Sequence, residues 1–213
     1  MKLIAHRGYV TKYIKENTME AFQNAFNDGF LGIEFDVRKT KDNNFVICHD
    51  AFIDRVSNGA GLLSNYTYNE LLKFNFGSKE VPSKIPLLSD VLKKFNGIKL
   101  VELKTRIDLE PILDLIDDNT YFMSFDTTFM FELKKKYPNL KFGVLNYVLN
   151  SKKDYNLDMI CLLNDVVTDR LVNHFLGKKI RVFIYGITGN AKYISDKVYY
   201  ITDKKNIKKE TSI

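Results

Sequence analysis

The chain has 213 residues, of which 45% are hydrophobic and 27% are charged, and its formal net charge is +6 at pH 7. This composition is typical of a soluble globular protein, and the length favours a single domain over residues 1–213 with a substantial core. No apolar run approaches the roughly 20 residues that a membrane span requires, which excludes stable insertion into a membrane.

The first residues and the cysteines indicate a cytoplasmic protein. The chain enters a strand pattern at once and lacks the apolar segment of a signal peptide. Cys48 and Cys161 both lie in apolar strand-like runs, which favours buried free thiols over a disulfide. The lysine surplus, much of it in Lys204–Lys209, fits either a solvated surface or attraction to anionic substrates or surfaces.

The chain opens with a strand, a helix and a second strand, which together form a βαβ unit. The first strand is predicted over Lys2–His6. Asn17 and Glu20 resemble a capping box with Asn17 as the helix cap, and Gly29 marks the end of that helix. The second strand begins at Gly32.

The second strand and the turn after it are predicted to carry a functional site. Apolar residues alternate with Glu34 and Asp36, so both carboxylates project from one face of the strand. Phe45–Cys48 is predicted to be an antiparallel partner, because the connection is too short for a parallel crossover. Folding about Asn43 would place His49 opposite Asp36 or the residue after it. Two carboxylates and an imidazole would therefore gather at one strand end.

Residues 51–88 interrupt the alternation of strands and helices and are predicted to form an insertion on a barrel rim, with a short helix over Tyr68–Phe74. Later strands are predicted over Lys99–Lys104, Tyr121–Phe125, Lys141–Leu145, Met159–Leu163, Arg181–Gly186 and Val198–Thr202. Helices are predicted over Ser89–Phe95, Leu109–Ile116, Thr127–Tyr137 and Thr168–Leu176, with a missing or degenerate helix over Tyr147–Leu157 and a turn near Ala191–Ser195. Eight alternating units imply a (β/α)8 TIM-type barrel, with the hairpin partner as an extra strand.

In such a barrel the active site lies at the carboxyl ends of the strands. Glu102 and Lys104 share one face there, so Glu102 joins Glu34 and Asp36 at the barrel mouth. Like charges at close range raise one another's pKa. A hard divalent cation, Mg²⁺ or Ca²⁺, would relieve this repulsion, because both ions prefer carboxylate oxygens.

Two imidazoles and two cations remain at the same rim. His6 and His49 are suited to general acid and base catalysis near neutral pH. Arg7 and Lys104 beside a metal ion suit a phosphate group. Together these features point to cleavage of a phosphate ester. The histidines could instead ligate a softer metal such as Zn²⁺, although carboxylates dominate the cluster.

The ordered motifs resemble those of the glycerophosphodiester phosphodiesterase family. They are His6-Arg7-Gly8, Glu16-Asn17-Thr18, Glu34-x-Asp36-Val37, Thr40-Lys41-Asp42, Val46-x-x-His49-Asp50, Arg55 and Glu102-x-Lys104, followed by weaker matches at Ile85-Pro86-Leu87, Ser124-Phe125 and Ile201-Thr202-Asp203. The resemblance thus covers nearly the whole chain. One departure is the absence of the family's usual Trp-Thr pair near the seventh strand, where Tyr185 could supply an aromatic wall.

The resemblance implies a short TIM barrel that hydrolyses a small-molecule glycerophosphodiester to glycerol 3-phosphate and an alcohol, with no nucleic-acid partner. The implied roles are general acid and base for His6 and His49, ligation of one Mg²⁺ or Ca²⁺ for Glu34, Asp36 and Glu102, and phosphate contacts for Arg7 and Lys104. The order of the two histidines, the choice of metal and the oligomeric state stay open. Asp50 either orients His49 or a metal-bound water, or caps a turn.

Two other functions remain open at the level of sequence. The first is a lipid-directed phosphodiesterase, of the lysophospholipase D or phospholipase C type, which needs an apolar surface near the barrel mouth. That surface would come from Phe52, Ile53, Leu62, Leu63 and Tyr66 of the insertion. The second is a catalytically silent module that binds anionic polymers or membrane surfaces through its basic tail, although such a protein has little use for two histidines and three carboxylates.

Overall fold

The structure, a computed structural model, describes residues 1–146 and 156–209. The strands in these residues are β1 (Leu3–His6), β2 (Gly32–Lys39), β3 (Phe45–Ile47), β4 (Ile98–Leu103), β5 (Thr120–Ser124), β6 (Lys141–Asn146), β7 (Met159–Leu163), β8 (Arg181–Tyr185) and β9 (Val198–Thr202). Eight of them run parallel and close into a barrel, because β1 pairs with both β2 and β9. β3 runs antiparallel to β2. The predicted TIM-type barrel with a hairpin is therefore confirmed.

The helices are shorter than predicted at several places. The described α-helices are α1 (Met19–Asn27), α2 (Tyr68–Leu71), α3 (Leu88–Lys94), α4 (Thr127–Lys136) and α5 (Asp169–Gly177), and 3₁₀ turns span Leu63–Asn65, Glu110–Leu115 and Asn164–Val166. The helix predicted over Leu109–Ile116 is thus a 3₁₀ segment with Pro111 in its first turn. No helix forms near Ala191–Ser195. The degenerate helix predicted over Tyr147–Leu157 falls mainly on 147–155, outside the described residues.

All helices in residues 1–146 and 156–209 are too short or too polar to cross a lipid bilayer. Both cysteines are free and buried, as predicted.

The amino end of α1 differs from the prediction. Thr18, and not Asn17, is the cap, since Thr18 Oγ1 accepts a hydrogen bond from Ala21 N–H at 3.2 Å. Glu20 does not close a capping box but accepts a hydrogen bond from Ser83 Oγ at 2.7 Å, which links α1 to the insertion. The side chain of Asn17 is therefore available for another role.

The hairpin of β2 and β3 is one residue out of the predicted register. Cys48 N–H donates to Asp36 O at 2.9 Å, so Cys48 and not His49 lies opposite Asp36. The reason lies in the turn. Thr40 N–H donates to Asn44 O at 2.9 Å, which centres the turn one residue earlier than predicted.

Among the described residues, three apolar clusters hold the fold together. One fills the barrel interior and includes Cys161 and Phe183. A larger cluster lies between the barrel and its helices. The third belongs to β3 and the insertion, and it includes Val46, Cys48 and Phe76. The insertion thus has a core of its own, which fixes its position beside the barrel mouth.

This third core corrects the predicted apolar surface of the insertion. Ile53 and Leu63 are buried in it, whereas Phe52 and Leu62 are 55% and 37% exposed and face each other across an antiparallel bridge. Because side chains alternate along this short ribbon, Phe52 and Leu62 point outward, whereas Ile53 and Leu63 point inward. Of the five expected apolar residues, only Phe52 and Leu62 are therefore exposed, and Tyr66 is half-buried.

Candidate active site

The three predicted carboxylates meet at the barrel mouth. Glu34 and Asp36 lie on β2 and Glu102 on β4, and the strand register places Asp36 beside Glu102. All three are buried, and one ligand oxygen from each lies within 4.8 Å of the others. Period-two alternation explains the arrangement, because it turns these three side chains into the barrel while their apolar neighbours pack against the helices.

Two cations contact this cluster. Lys104 Nζ lies 3.1 Å from Asp36 Oδ1 and also donates to Glu102 Oε1. Arg7 Nε lies 3.4 Å from Asp36 Oδ2, and the backbone N–H of Arg7 donates to Glu34 Oε2 at 3.1 Å. The structure therefore gathers Arg7 and Lys104 around the carboxylates, as predicted, but two cations do not balance three carboxylates.

The pKa values of the carboxylates reflect this imbalance. Burial, followed by the charge of Asp36, raises the pKa of Glu34 from 4.5 to about 8. Burial and Asp36 also raise the pKa of Glu102. Burial acts in the same direction on Asp36, but Lys104 and Arg7 outweigh it and hold the pKa of Asp36 below its usual value. The raised pKa of Glu34 favours its protonated form, and a bound cation would relieve the same repulsion between the carboxylates.

The residues present fit a hard divalent cation. The donor set consists of buried carboxylate oxygens, which Mg²⁺ and Ca²⁺ prefer. Asn17 Oδ1 is buried next to Asp36 and has no hydrogen-bond partner among the described residues. An orphaned amide oxygen beside a carboxylate cluster is a further indication that a cation or its water belongs there.

His6 ends β1 and is held by an aspartate from the neighbouring strand end. His6 Nδ1 lies 2.9 Å from Asp203 Oδ1, just after β9. Burial lowers the pKa of His6, but the hydrogen bond to Asp203 and the charge of Glu34 outweigh it and raise the pKa. Sequence reasoning gave Asp203 no role. The signals were its place directly after the last strand and its part in the weak family match Ile201-Thr202-Asp203.

His49 is held in the same way. His49 Nδ1 lies 2.6 Å from Asp50 Oδ1, and Arg55 Nε donates to Asp50 Oδ2 at 2.6 Å. Asp50 therefore orients His49, which decides between the two predicted alternatives for this residue. His49 directly follows Cys48, whose N–H donates to Asp36 O, so His49 stands at the same strand end despite its shifted register. Because each histidine uses Nδ1 for an aspartate, Nε2 is the nitrogen left for a ligand.

Asn17 is a site residue that sequence reasoning assigned to a helix cap. Its Nδ2 donates to Asp36 Oδ2 at 2.9 Å, and its backbone N–H donates to Arg7 O at 2.9 Å. Asn17 and Arg7 both have left-handed backbones, with φ of 55° and 56°. Two strained residues joined by a hydrogen bond at one site are typical of a backbone held for function.

The loop after β1 packs closely on α1. Gly8 has φ of 83°, and a Cβ at this position would lie 2.7 Å from the Cβ of Ala21. Only glycine satisfies both the backbone angle and the close approach. This contact fixes the path of the chain directly after His6 and Arg7.

Tyr185 lines a cavity of about 150 Å³ beside His6, together with Gly186, Ile187 and the end of β9. This tyrosine ends β8, the seventh parallel strand of the barrel. An aromatic side chain therefore stands next to the predicted catalytic histidine, at the place where the sequence departs from the family pattern.

Comparison with known proteins places the chain in one family. Residues 6–198 match the model of the Glycerophosphoryl diester phosphodiesterase family. A glycerophosphodiester phosphodiesterase of Caldanaerobacter subterraneus is 34% identical over 160 residues, which cover 67% of this chain and 65% of that protein. A glycerophosphodiester phosphodiesterase of Bacillus altitudinis is 32% identical over 177 residues, which cover 75% of this chain and 72% of that protein. The match thus spans about two thirds of the length of these relatives.

Solved structures support the same fold. A glycerophosphodiester phosphodiesterase from Agrobacterium tumefaciens superimposes with a TM-score of 0.80 at 19% identity, covering 96% of this chain and 97% of that one. A phosphodiesterase from Oleispira antarctica, in complex with the product sn-glycerol-3-phosphate, has a TM-score of 0.75 at 22% identity, covering 90% and 85%.

Proposed function

Because the chain belongs to the glycerophosphoryl diester phosphodiesterase family, we propose that it hydrolyses glycerophosphodiesters to glycerol 3-phosphate and an alcohol. The observation that carries the proposal is a buried cluster of three carboxylates with two histidines beside it, each held at Nδ1 by an aspartate. The similar phosphodiesterase from Oleispira antarctica holds sn-glycerol-3-phosphate as its product, which supports the same product here.

Glu34, Asp36 and Glu102 would hold one Mg²⁺ or Ca²⁺ ion. When bound, such an ion neutralises the carboxylates and polarises an oxygen of the phosphate. The raised pKa of Glu34 supports this assignment, because a divalent cation replaces the proton that the buried carboxyl otherwise retains.

Arg7 and Lys104 bind the phosphate in this proposal. Both contact Asp36, so both carry positive charge at the edge of the carboxylate cluster. Burial lowers the pKa of Lys104, but Asp36 and Glu102 outweigh it and raise that pKa, which keeps the ammonium charged. An anion at the mouth would meet the Lys104 ammonium, and the Arg7 guanidinium offers it further donors.

His6 and His49 exchange protons with the substrate in this proposal. One imidazole removes a proton from the nucleophile, which is water or the neighbouring glycerol hydroxyl. The other imidazole donates a proton to the oxygen of the leaving alcohol. Asp203 and Asp50 hold Nδ1 of the two rings, so Nε2 is the nitrogen that transfers the proton in each case.

The decisive experiment is an assay of the purified protein with glycerophosphocholine and glycerophosphoethanolamine. Release of glycerol 3-phosphate, followed by a coupled enzyme, is expected with Mg²⁺ or Ca²⁺ present. A folded protein that releases none from any glycerophosphodiester, with either metal added, would refute the proposal.

A lipid-directed phosphodiesterase is the second candidate, and one observation favours it. Phe52 and Leu62 form an exposed apolar pair on the insertion beside the barrel mouth. Comparing rates on lysophosphatidylcholine and glycerophosphocholine separates the two functions, because only a lipid-directed enzyme should prefer the acylated substrate. No turnover of either compound would leave a silent anion-binding module.

A further inference from the structure

A second cavity adjoins the catalytic cluster. It has a volume of about 380 Å³ and lies between the loop after β1 and the insertion. Glu16 and Arg55 line it and also belong to the site: Glu16 accepts a hydrogen bond from Arg7 Nη1 at 3.0 Å, and Arg55 binds the aspartate that orients His49. The cavity therefore shares Glu16 and Arg55 with the contacts that hold Arg7 and Asp50.

The lining of this cavity is cationic. Lys15, Arg55 and Lys79 oppose the single carboxylate of Glu16. Arg55 and Arg7 already compensate the charge of Glu16: burial raises its pKa, but the two arginines outweigh burial and lower it. Throughout residues 1–146 and 156–209, neither Lys15 nor Lys79 forms an ion pair or a side-chain hydrogen bond. Two positive charges are thus available to an anion in a concave site.

Two asparagines, Asn58 and Asn75, organise the wall formed by the insertion. Asn75 Oδ1 accepts the backbone N–H groups of Gly77 and Ser83, both at 2.9 Å, and its Nδ2 donates to Ser78 O at 3.0 Å. Asn58 Oδ1 accepts the N–H of Asn75 at 2.7 Å, which leaves the Nδ2 donors of Asn58 for a ligand. The wall is therefore held by its own hydrogen bonds, and its free side-chain groups are donors.

The cavity beside His6 offers a contrast. It is smaller, at about 150 Å³, and apart from His6 its lining contains no cationic side chain. These two cavities thus differ in charge, and of the two the larger one suits a second anion.

We propose that the larger cavity binds an anionic group, such as a phosphate, on the alcohol part of the substrate. The inference rests on the proposed function and gives it a substrate class: glycerophosphodiesters whose alcohol carries a further negative charge. Lys15 and Lys79 supply the charge, and the amide of Asn58 supplies hydrogen bonds.

The test uses two substrates that differ by one phosphate group, glycerophosphoinositol and glycerophosphoinositol 4-phosphate. The protein should show a kcat/KM at least about tenfold higher for the phosphorylated substrate, since one charge-assisted contact of about 1.4 kcal/mol gives this factor. Lys15→Gln and Lys79→Gln should each reduce that ratio, mainly by raising KM for the phosphorylated substrate. Lys135→Gln, an equal charge change on the outer helix α4, should leave the ratio unchanged.

The outcomes separate the two proposals. Equal kcat/KM values for both inositol substrates, or a ratio that Lys15→Gln and Lys79→Gln do not change, would overturn the inference and leave the proposed function standing. Cleavage of glycerophosphocholine but of neither inositol substrate would also overturn it. Cleavage of no glycerophosphodiester would overturn the proposed function itself.

Discussion

A buried charge is fully compensated at the amino end of strand β4 but not at its carboxyl end. At the amino end Lys99 is fully buried, and its ammonium donates to Asp117 Oδ2 at 2.8 Å and to the carbonyl oxygens of Phe95 and Gly97. At the carboxyl end Glu102 lies among like charges, and burial together with Asp36 raises its pKa. A charge with all its partners and a charge without enough partners thus lie only three positions apart on the same strand.

This difference suggests a structural role for Lys99 and a functional role for Glu102. A buried charge that finds all its partners within the chain helps to specify the fold. A cluster of like charges without sufficient partners costs stability, and it persists where a ligand supplies the missing charge. Substitutions at the two ends should therefore have opposite consequences.

The largest expected difference is between substitutions of Glu102, which should affect activity, and of Lys99, which should affect stability. Glu102→Gln removes a proposed metal ligand, so we expect loss of most of the activity and of metal affinity with the fold intact. Lys99→Met removes the donor to the carbonyl oxygens of Phe95 and Gly97 and to the carboxylate of Asp117, so we expect a loss of about 1–3 kcal/mol in the free energy of unfolding with kcat/KM unchanged. Urea unfolding, calorimetric metal titration and turnover measure the pair.

Glu80→Gln is the control for Glu102→Gln, because Glu80 is exposed on the insertion and should tolerate the change. Full activity of Glu102→Gln, or of the unaltered protein in excess EDTA, would contradict the assignment of the carboxyl end to metal binding.

The next effect concerns the histidines at the same end. His6→Ala and His49→Ala should each lower kcat by about 10²–10⁴-fold, the usual contribution of a general acid or base. Calorimetric titration should show metal affinity nearly unchanged, because the proposed ligands are carboxylates. His174→Ala is the matched control, since His174 lies in α5 and contacts the ring of Phe175. Weakened metal binding with retained turnover would indicate histidine ligation, as in a zinc site.

The stability of the metal-free protein should depend on pH through Glu34. The folded pKa of about 8 exceeds the ordinary value of 4.5, so between these values the folded state retains a proton that the unfolded chain releases. Stability in EDTA should therefore fall as pH rises toward 8, and added metal should stabilise more at pH 8 than at pH 6.

Urea unfolding at both pH values measures this dependence. Glu34→Gln cannot titrate and serves as the control, and it should show a weaker decline. The same decline in both proteins would show that other groups cause it.

Period-two alternation made the carboxyl end of the barrel predictable. Glu34, Asp36 and Glu102 were placed on one face from the sequence alone, because side-chain direction in a strand is a local property. The eight-stranded barrel followed from the alternation of predicted strands and helices along the chain. The single domain over residues 1–213 and the cytoplasmic location stay predictions.

Contacts between distant segments were not predictable. Asp203 holds His6 across 197 residues of sequence, a pairing that exists only once β9 closes the barrel against β1. The turn before His49 closed one residue early because Thr40 and Asn44 pair in it. The first contact depends on a partner far away in the sequence, whereas the second error arose because several local turns were possible.

Asn17 is the residue where this limit is most visible, and it yields the smallest predicted effect. Asn17 and Thr18 are both suitable helix caps, and the carboxylate of Asp36 decides between them by binding the Asn17 amide. Asn17→Gly keeps the left-handed backbone but removes this hydrogen bond, so we expect about a tenfold loss of kcat/KM with weaker metal binding. Asn17→Ala adds backbone strain and should also lower the free energy of unfolding relative to Asn17→Gly. Comparing turnover, metal titration and urea unfolding for the two variants tests this. If both variants lose stability equally and retain activity, Asn17 has a structural role, as Lys99 does, although it lies at the carboxyl end of the barrel.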